Sequence, residues 1–320
     1  MGRKSILARL FAMKEAGILF GMLGICVVLS MTTSSFLNRY NLTIVVRQAS
    51  FVGIVALGQT MVLLTGGIDL SVGFIAGLVG ILTTLLMSSF SVAPLLAVPI
   101  GLAAGAVFGV VNGLVISRVK VNPFITTLAL GEIFAGAIMV ITNGYPILNL
   151  PSSFSFLGQG QVFGMPMPVI VFLVVGAMLA YILRYTAFGR NIYAIGGNRL
   201  AARLVGIRVE RVISAVYMLA GFLAALAGIL FSSRISTGQP TTGANWGMPC
   251  ITAAIIGGTS LSGGEGSIVG TILGSLFMAV LANGIVLLDI SPYWERIIIG
   301  AVVILAVVID VLRTRGRPRS

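Results

Sequence analysis

Between residues 17 and 312 the chain is a succession of apolar stretches, each close to the length of a membrane crossing and separated by short polar joints. A spanning helix needs roughly 20 mostly apolar residues. About ten segments approach that description, at 17–37, 50–65, 70–90, 94–117, 124–142, 168–184, 212–232, 247–257, 268–288 and 294–312. Only 9% of the 320 residues are charged, where a soluble domain carries about a quarter. Mean hydropathy is +1.10. Such a surface is built for lipid, where helices satisfy their own backbone groups. The expected fold is therefore all-α: one polytopic helical bundle over residues 1–320, with about ten transmembrane segments and glycine-rich, discontinuous helices. The first stretch lacks a small-residue cleavage site followed by a polar region, so a secretory leader is not expected.

Basic residues set the expected orientation. If odd-numbered segments run outward, one face collects Arg3, Lys4, Arg9 and Lys14, then Arg118 and Lys120. It also collects Arg184, Arg190, Arg199, Arg203, Arg208 and Arg211, and finally Arg313, Arg315, Arg317 and Arg319. Sixteen of the 20 basic residues fall there; Arg39, Arg47, Arg234 and Arg296 do not. The positive-inside rule makes that face cytoplasmic. Both termini are then inside: a cytoplasmic segment 1–16, a cytoplasmic loop 185–211 and a basic tail 313–320. The net charge of +12 describes topology and contact with anionic headgroups of the bilayer. Nucleic acid is not an expected partner, because the arginines are divided among four loops without interleaved aromatics.

The chain has no histidine, which argues against soft-metal sites and imidazole acid–base chemistry. Neither a catalytic residue nor a cofactor is expected. Cys26 and Cys250 read as free thiols in apolar packing. Gly101, Gly105, Gly109 and Gly113 recur every fourth residue, as do Gly266, Gly270 and Gly274. That spacing keeps them on one helical face and lets a neighbouring backbone approach closely. Asn112, inside the first row, either bridges helices by hydrogen bonding or touches a translocation path.

Two segments interrupt the apolar runs. "GGIDLSVG" at Gly66–Gly73 (Gly66, Gly67, Asp69, Ser71, Gly73) is echoed by "GGTSLSGG" at Gly257–Gly264 (Gly257, Gly258, Ser260, Ser262), with five of eight positions identical. In each, an apolar segment ends at paired glycines and the fourth position offers a cap, Asp69 or Ser260, for the next helix. Non-helical turns at membrane depth need protein or a wet cavity around them. Asp69 is thus either a plain cap or a pathway residue. Glu132 in "LALGEIFAGA" has no basic residue within a turn. It is expected at a hydrogen-bonded position facing the bundle interior, with structural and pathway roles both open.

The longest loop of the basic face, Arg184–Val212, contains Asn198 as a cap, a short helix over Arg199–Val205 and Gly206 at its end. Leu200 and Leu204 share a side flanked by Arg199, Arg203 and Arg208. A helix this short is not stable alone in water, so it leans on lipid headgroups, on the membrane domain or on a partner's groove.

"LLTGGIDLSVG", "GRNIYAIGGNRLAARLVGI" and "IIGGTSLSGGEGSIVGTILG", in that order and spacing, resemble the permease subunit of ribose-type ABC sugar importers. The similarity covers nearly the whole chain. It implies an inner-membrane permease that works as a pair, homodimeric or heterodimeric, with cytoplasmic ABC ATPase subunits and a periplasmic sugar-binding protein. It also implies an ATPase-coupling role for Gly196, Gly197, Asn198, Arg199, Leu200, Ala201, Arg203, Leu204 and Gly206. The chain departs from the family pattern at Arg199, where relatives often carry glutamate, which points to a matched ATPase partner.

The absence of G-x-x-x-x-G-K-[ST] agrees with a subunit that is not itself the ATPase. An external loop at 143–167, with three prolines and four aromatic residues, is expected either to receive the binding protein or to pack as a lid. The rival to the importer is a proton- or ion-coupled secondary transporter using Glu132 or Asp69.

Overall fold

A computed structural model describes residues 16–291, with 293, 294, 297, 298, 300–302, 304, 305 and 308 beyond them. The expected basic tail 313–320, nearly all of the N-terminal segment 1–16 and much of the segment 294–312 lie outside the described residues.

The helices in chain order are α1 Ala16–Thr32, α2 Arg39–Leu64, α3 Val72–Ser88, α4 Pro94–Leu114 (running into a π-helical turn, Val115–Val119), α5 Pro123–Thr142, α6 Phe156–Gln159, α7 Met167–Tyr185, α8 Ala187–Gly197, α9 Arg199–Leu204, α10 Val209–Ile235, α11 Gly247–Ile256 and α12 Ile268–Leu287. A small antiparallel pair, Gln161–Val162 with Met165–Pro166, accompanies α6. Among the described residues six helices are long and apolar enough to cross a membrane: α2, α4 with its π turn, α5, α7, α10 and α12. Of the other four expected segments, α1, α3 and α11 are short apolar helices and 294–312 falls largely outside the described residues. In the sequence α1 and α3 look longer because the residues beside them are apolar or small as well, whereas α11 matches its short expected segment 247–257.

The core forms where α10 crosses α2, α3 and α4. Glycines let the backbones meet: a Cβ on Gly109 would overlap the carbonyl oxygen of Tyr217, and one on Gly113 would lie 2.7 Å from Ser214 Cα. Gly105 faces Ala225 and Gly221 in the same way. In the second row Gly274 meets the backbone of α11 at Ala253, and Gly270 meets Gly257 just beyond the end of α11. The first expected close-packing face is present entire; the second is shorter than expected, because Gly266 precedes α12 with φ +157° and only Gly270 and Gly274 lie on the helix. Cys26 and Cys250 are free thiols; Cys250 is fully enclosed, its Sγ 3.4 Å from Val52 O.

The segment 143–167 is partly packed on the bundle and partly exposed. Phe154 is buried while Phe163 is wholly exposed, and Gly158 N donates to Ser233 Oγ at 2.7 Å. An isolated bridge ties Ile147 to Gly238.

Candidate functional site

Two short helices start inside the bundle and point away from each other. α3 begins at Val72 after an irregular stretch 65–71, and α11 begins at Gly247 after the irregular stretch 236–246. The second stretch runs along α3: a Cβ on Gly238 would overlap Thr84 Oγ1, one on Gly77 would overlap Thr242 O, and one on Gly73 would overlap Gly243 O. The chain then enters α11, whose Ile251, Ala254 and Ile255 pack with Leu63, Ile68 and Leu70. Each half-helix is thus accompanied by the irregular segment leading into the other. Their N-termini abut at Gly73, Gly243 and Gly247. Broken helices meeting in this way bring positive dipole ends to one interior point. Gly66–Gly73 and Gly257–Gly264 echo each other in sequence, but the partner of α3 at this junction is the polar stretch "TTGANWG" at 241–247.

Asp69 is completely buried, and its role differs from the expected helix cap. The residue preceding α3 is Ser71, whose side chain makes no capping bond to the helix. Asp69 Oδ1 accepts from Ser71 N at 2.9 Å and Ser71 Oγ at 2.6 Å, while Asn112 Nδ2 donates to Asp69 Oδ2 at 3.3 Å and Ser71 Oγ at 2.7 Å. The Gln59 amide, oriented to satisfy both groups, accepts from Asp69 N at 3.1 Å and donates to Asp69 O at 3.2 Å. Tyr217 Oη donates to Ile68 O at 3.2 Å, and Leu70 N donates to Thr127 Oγ1 at 3.1 Å. Side chains from α2, α4, α5 and α10 therefore supply the bonds that a non-helical backbone lacks, as burial demands. Asn112 joins α4 to the irregular stretch before α3 rather than to a second helix.

The second expected cap is also displaced. Gly263, Gly264 and Gly266 carry φ values of +85°, +74° and +157°, which bar a helix directly after Ser260. α12 waits for Ser267, whose side chain accepts from Gly270 N at 3.0 Å. Ser260 instead turns the loop: Ser260 N donates to Glu265 O at 2.8 Å and Ser262 N donates to Ser260 Oγ at 3.3 Å. Gly257 packs against Gly270, and Gly258 holds φ +87°.

These turns meet the loop before α9. Gly264 N donates to Leu64 O at 3.0 Å. A Cβ on Gly196 would overlap both Leu64 O and Gly264 N, one on Gly263 would sit 2.9 Å from Gly66 N, and one on Gly264 would sit 3.0 Å from Gly197 N. Tyr193 Oη donates to Gly266 O at 2.9 Å. The three segments that carry the family resemblance thus form one backbone joint. α9 leaves it directly: Asn198 Oδ1 accepts from Ala201 N at 3.0 Å, and Gly206 ends the turn at φ +86°. Ala202 is buried, whereas Leu200 and Leu204 are 68% and 80% exposed. Arg203 pairs with Glu210.

Two cavities flank the Asp69 segment. The smaller, about 300 Å³, is lined by Thr65, Gly66 and Gly67, by Asn122 and Pro123, and by Arg199 and Arg203. The larger, about 1170 Å³, is lined by Leu70, Gly73 and Phe74, by Leu128 and Glu132, and by Gln48, Asn245 and Trp246. Ile68, Asp69 and Thr127 line neither and stand between them. Glu132 is exposed on α5 and makes no hydrogen bond among the described residues. The expected interior, hydrogen-bonded placement is wrong: Gly131 and Phe134 take the buried face of α5, and Glu132, beside them, turns to the larger cavity.

The wall opposite is not marked by any motif of the sequence. Trp246 packs edge-on to Phe231, and Phe231 edge-on to Phe51, both at 5.3 Å between ring centres. Arg234 lies over Phe51 and donates to Gln48 Oε1 at 3.0 Å. A usable signal was present: Asn245 and Trp246 form a polar, bulky pair beside glycines, just before an apolar segment.

No solved structure matches this chain. Among curated proteins it is 42% identical over 300 residues to the ribose import permease protein of Bacillus subtilis, covering 93% of each chain. It is 40% identical over 296 residues to the ribose import permease protein of Escherichia coli, covering 91% of this chain and 92% of that one. It is 36% identical over 283 residues to the fructose import permease protein of Rhizobium meliloti, covering 86% and 79%. The family described as branched-chain amino acid transport system / permease component matches residues 41–307, and this chain belongs to that family of multi-pass membrane permeases.

Proposed function

We propose that the chain is the membrane-spanning permease subunit of an ATP-binding-cassette importer for a monosaccharide. ATP hydrolysis belongs to a separate subunit. In this reading residues 1–320 form a single permease domain in a bacterial inner membrane, with about ten segments of which α3 and α11 are half-crossings. Both termini face the cytoplasm, as the basic-residue bias supports. A second permease copy, the ATPase and a periplasmic sugar-binding protein complete the assembly.

The observation that carries the reading is the joint. Gly196, at the end of α8, touches the backbones of Leu64 and Gly264, so displacement of α9 moves the end of α2 and the loop between α11 and α12 together. The exposed Leu200 and Leu204 are the surface that docks in an ATPase groove. The larger cavity receives solute from outside, and the smaller is the cytoplasmic vestibule. Ile68–Leu70, clamped by Thr127 and Tyr217, is the barrier between them. ATP-driven movement of α9 through the joint shifts this barrier, a two-state switch in a packed bundle. Trp246 offers a flat apolar face, and Gln48, Asn245 and Glu132 offer polar groups, which suits a neutral polyhydroxylated solute.

Reconstitution with the ATPase and binding protein tests this. Sugar uptake should require ATP inside the ATPase-bearing compartment and persist when the proton gradient is collapsed. Uptake driven by a proton gradient without ATP would replace the importer with the secondary-transport reading, for which Glu132, alone on the cavity wall, is the coupling carboxylate to examine.

A further inference from the structure

We propose that the smaller cavity is a binding site for a phosphomonoester, which when occupied holds the α9 joint still and slows import. The inference rests on the reading above, in which this cavity faces the cytoplasm. Three cations line it, Lys120, Arg199 and Arg203, and no carboxylate is among its lining residues. Glu210, whose charge also reaches Arg199, is engaged by Arg203. Lys120 and Arg199 make no ion pair or hydrogen bond among the described residues. Lys120 sits at the end of the π turn in a left-handed conformation, φ +64°, a costly state for a non-glycine residue. Asn122 spends its Oδ1 on Phe124 N, which leaves its amide hydrogens for a ligand. The surroundings are therefore rich in donors and cations.

Such a vestibule lets a neutral sugar pass but retains a doubly charged phosphate, which takes charge-assisted bonds from arginine and lysine. Its volume, about 300 Å³, is at the lower bound for small-molecule sites. A phosphomonoester bridging Lys120 and Arg199 would tie the π turn at the end of α4 to α9, the element that moves in the reading above. Two sources share this chemistry: a soluble sugar phosphate, made by phosphoryl transfer to the imported sugar, and the headgroup of phosphatidic acid.

The test uses the purified full-length permease in phosphatidylcholine nanodiscs, with D-ribose 5-phosphate as probe and D-ribose as control, read by calorimetry. Saturable binding of the phosphate but not of ribose, weakened about tenfold or more in Lys120→Asn and in Arg199→Gln, supports the site. Asparagine tolerates the left-handed backbone, so Lys120→Asn removes charge without new strain. If phosphatidic acid in the nanodisc displaces the probe, the site stands and the lipid is a second occupant. Absence of saturable binding in phosphatidylcholine, equal binding of ribose, or unchanged binding in both variants would overturn the proposal. None of those results touches ATP-driven uptake, which tests the importer reading separately. In the reconstituted importer, ribose 5-phosphate on the ATPase side should slow uptake severalfold, and Lys120→Asn should relieve the inhibition.

Discussion

Asp69 organises its surroundings by accepting from three donors, Ser71 N, Ser71 Oγ and Asn112 Nδ2. Asp69→Ala leaves Ser71 N and Ser71 Oγ without their acceptor and Asn112 Nδ2 with only Ser71 Oγ; it should destabilise the protein by about 3 kcal/mol, measured as a lower midpoint of thermal unfolding in detergent, with uptake lost. Asp69→Asn keeps one acceptor oxygen. The unpartnered Asn112 Oδ1 offers a place for the new amide, so this variant should insert, fold and retain uptake within about tenfold of the parent. Equal loss in both variants would mean that the charge itself acts in the pathway. The sequence showed a carboxylate at a helix break and suggested capping; it could not show that the bonds come from Asn112 and from the helices around it, because those contacts join residues far apart in the chain. Glu132 was misplaced for a related reason: a run of apolar neighbours hides which face of α5 meets the core.

The elements α8 and α9 yield a sharper pair of expectations. Gly196 has no room for a side chain, while a Cβ on Gly197 meets nothing within 4 Å. Gly196→Ala should abolish uptake, and the adjacent Gly197→Ala should be close to neutral, in the same vesicle assay. Leu200→Asp combined with Leu204→Asp should leave folding intact, because both side chains are exposed, yet prevent co-purification with the ATPase. Survival of the complex would place the docking surface elsewhere. α9 was legible because its signals are local: Asn198 caps it and Gly206 ends it. The pairing of α3 with residues 241–247 was not, because the stretch "TTGANWG" reads as an ordinary loop until Gly73 and Gly243 are seen in backbone contact. The N-terminal part of α2 was missed as well, since Arg39 and Arg47 lower its hydropathy although Asn38 caps it there by accepting from Tyr40 N.

At the scale of the whole molecule, the proposed reading makes the two cavities on either side of one clamped segment an occluded conduit. Thr127 anchors that segment from α5 through Leu70 N. Thr127→Val should weaken the clamp and raise ATP hydrolysis relative to sugar delivered in the full assembly. An unchanged ratio of ATP consumed to sugar moved would show that the barrier lies elsewhere. Glu132→Gln should retain ATP-driven uptake within a few fold, whereas a proton-coupled carrier would lose its gradient response. Helix-rich architecture and membrane embedding followed directly from apolar length, but the number of full crossings did not, because hydropathy counts apolar residues without regard to whether they are coiled.

Cys250 lies in the first turn of α11, wholly enclosed against α2, and its thiol is the natural reporter for that half-helix. With Cys26 replaced by serine, a small water-soluble maleimide should label the resting protein very slowly. If turnover draws α11 away from Val52, labelling accelerates only while fuel and cargo are both present, giving a clock for the motion without an engineered probe.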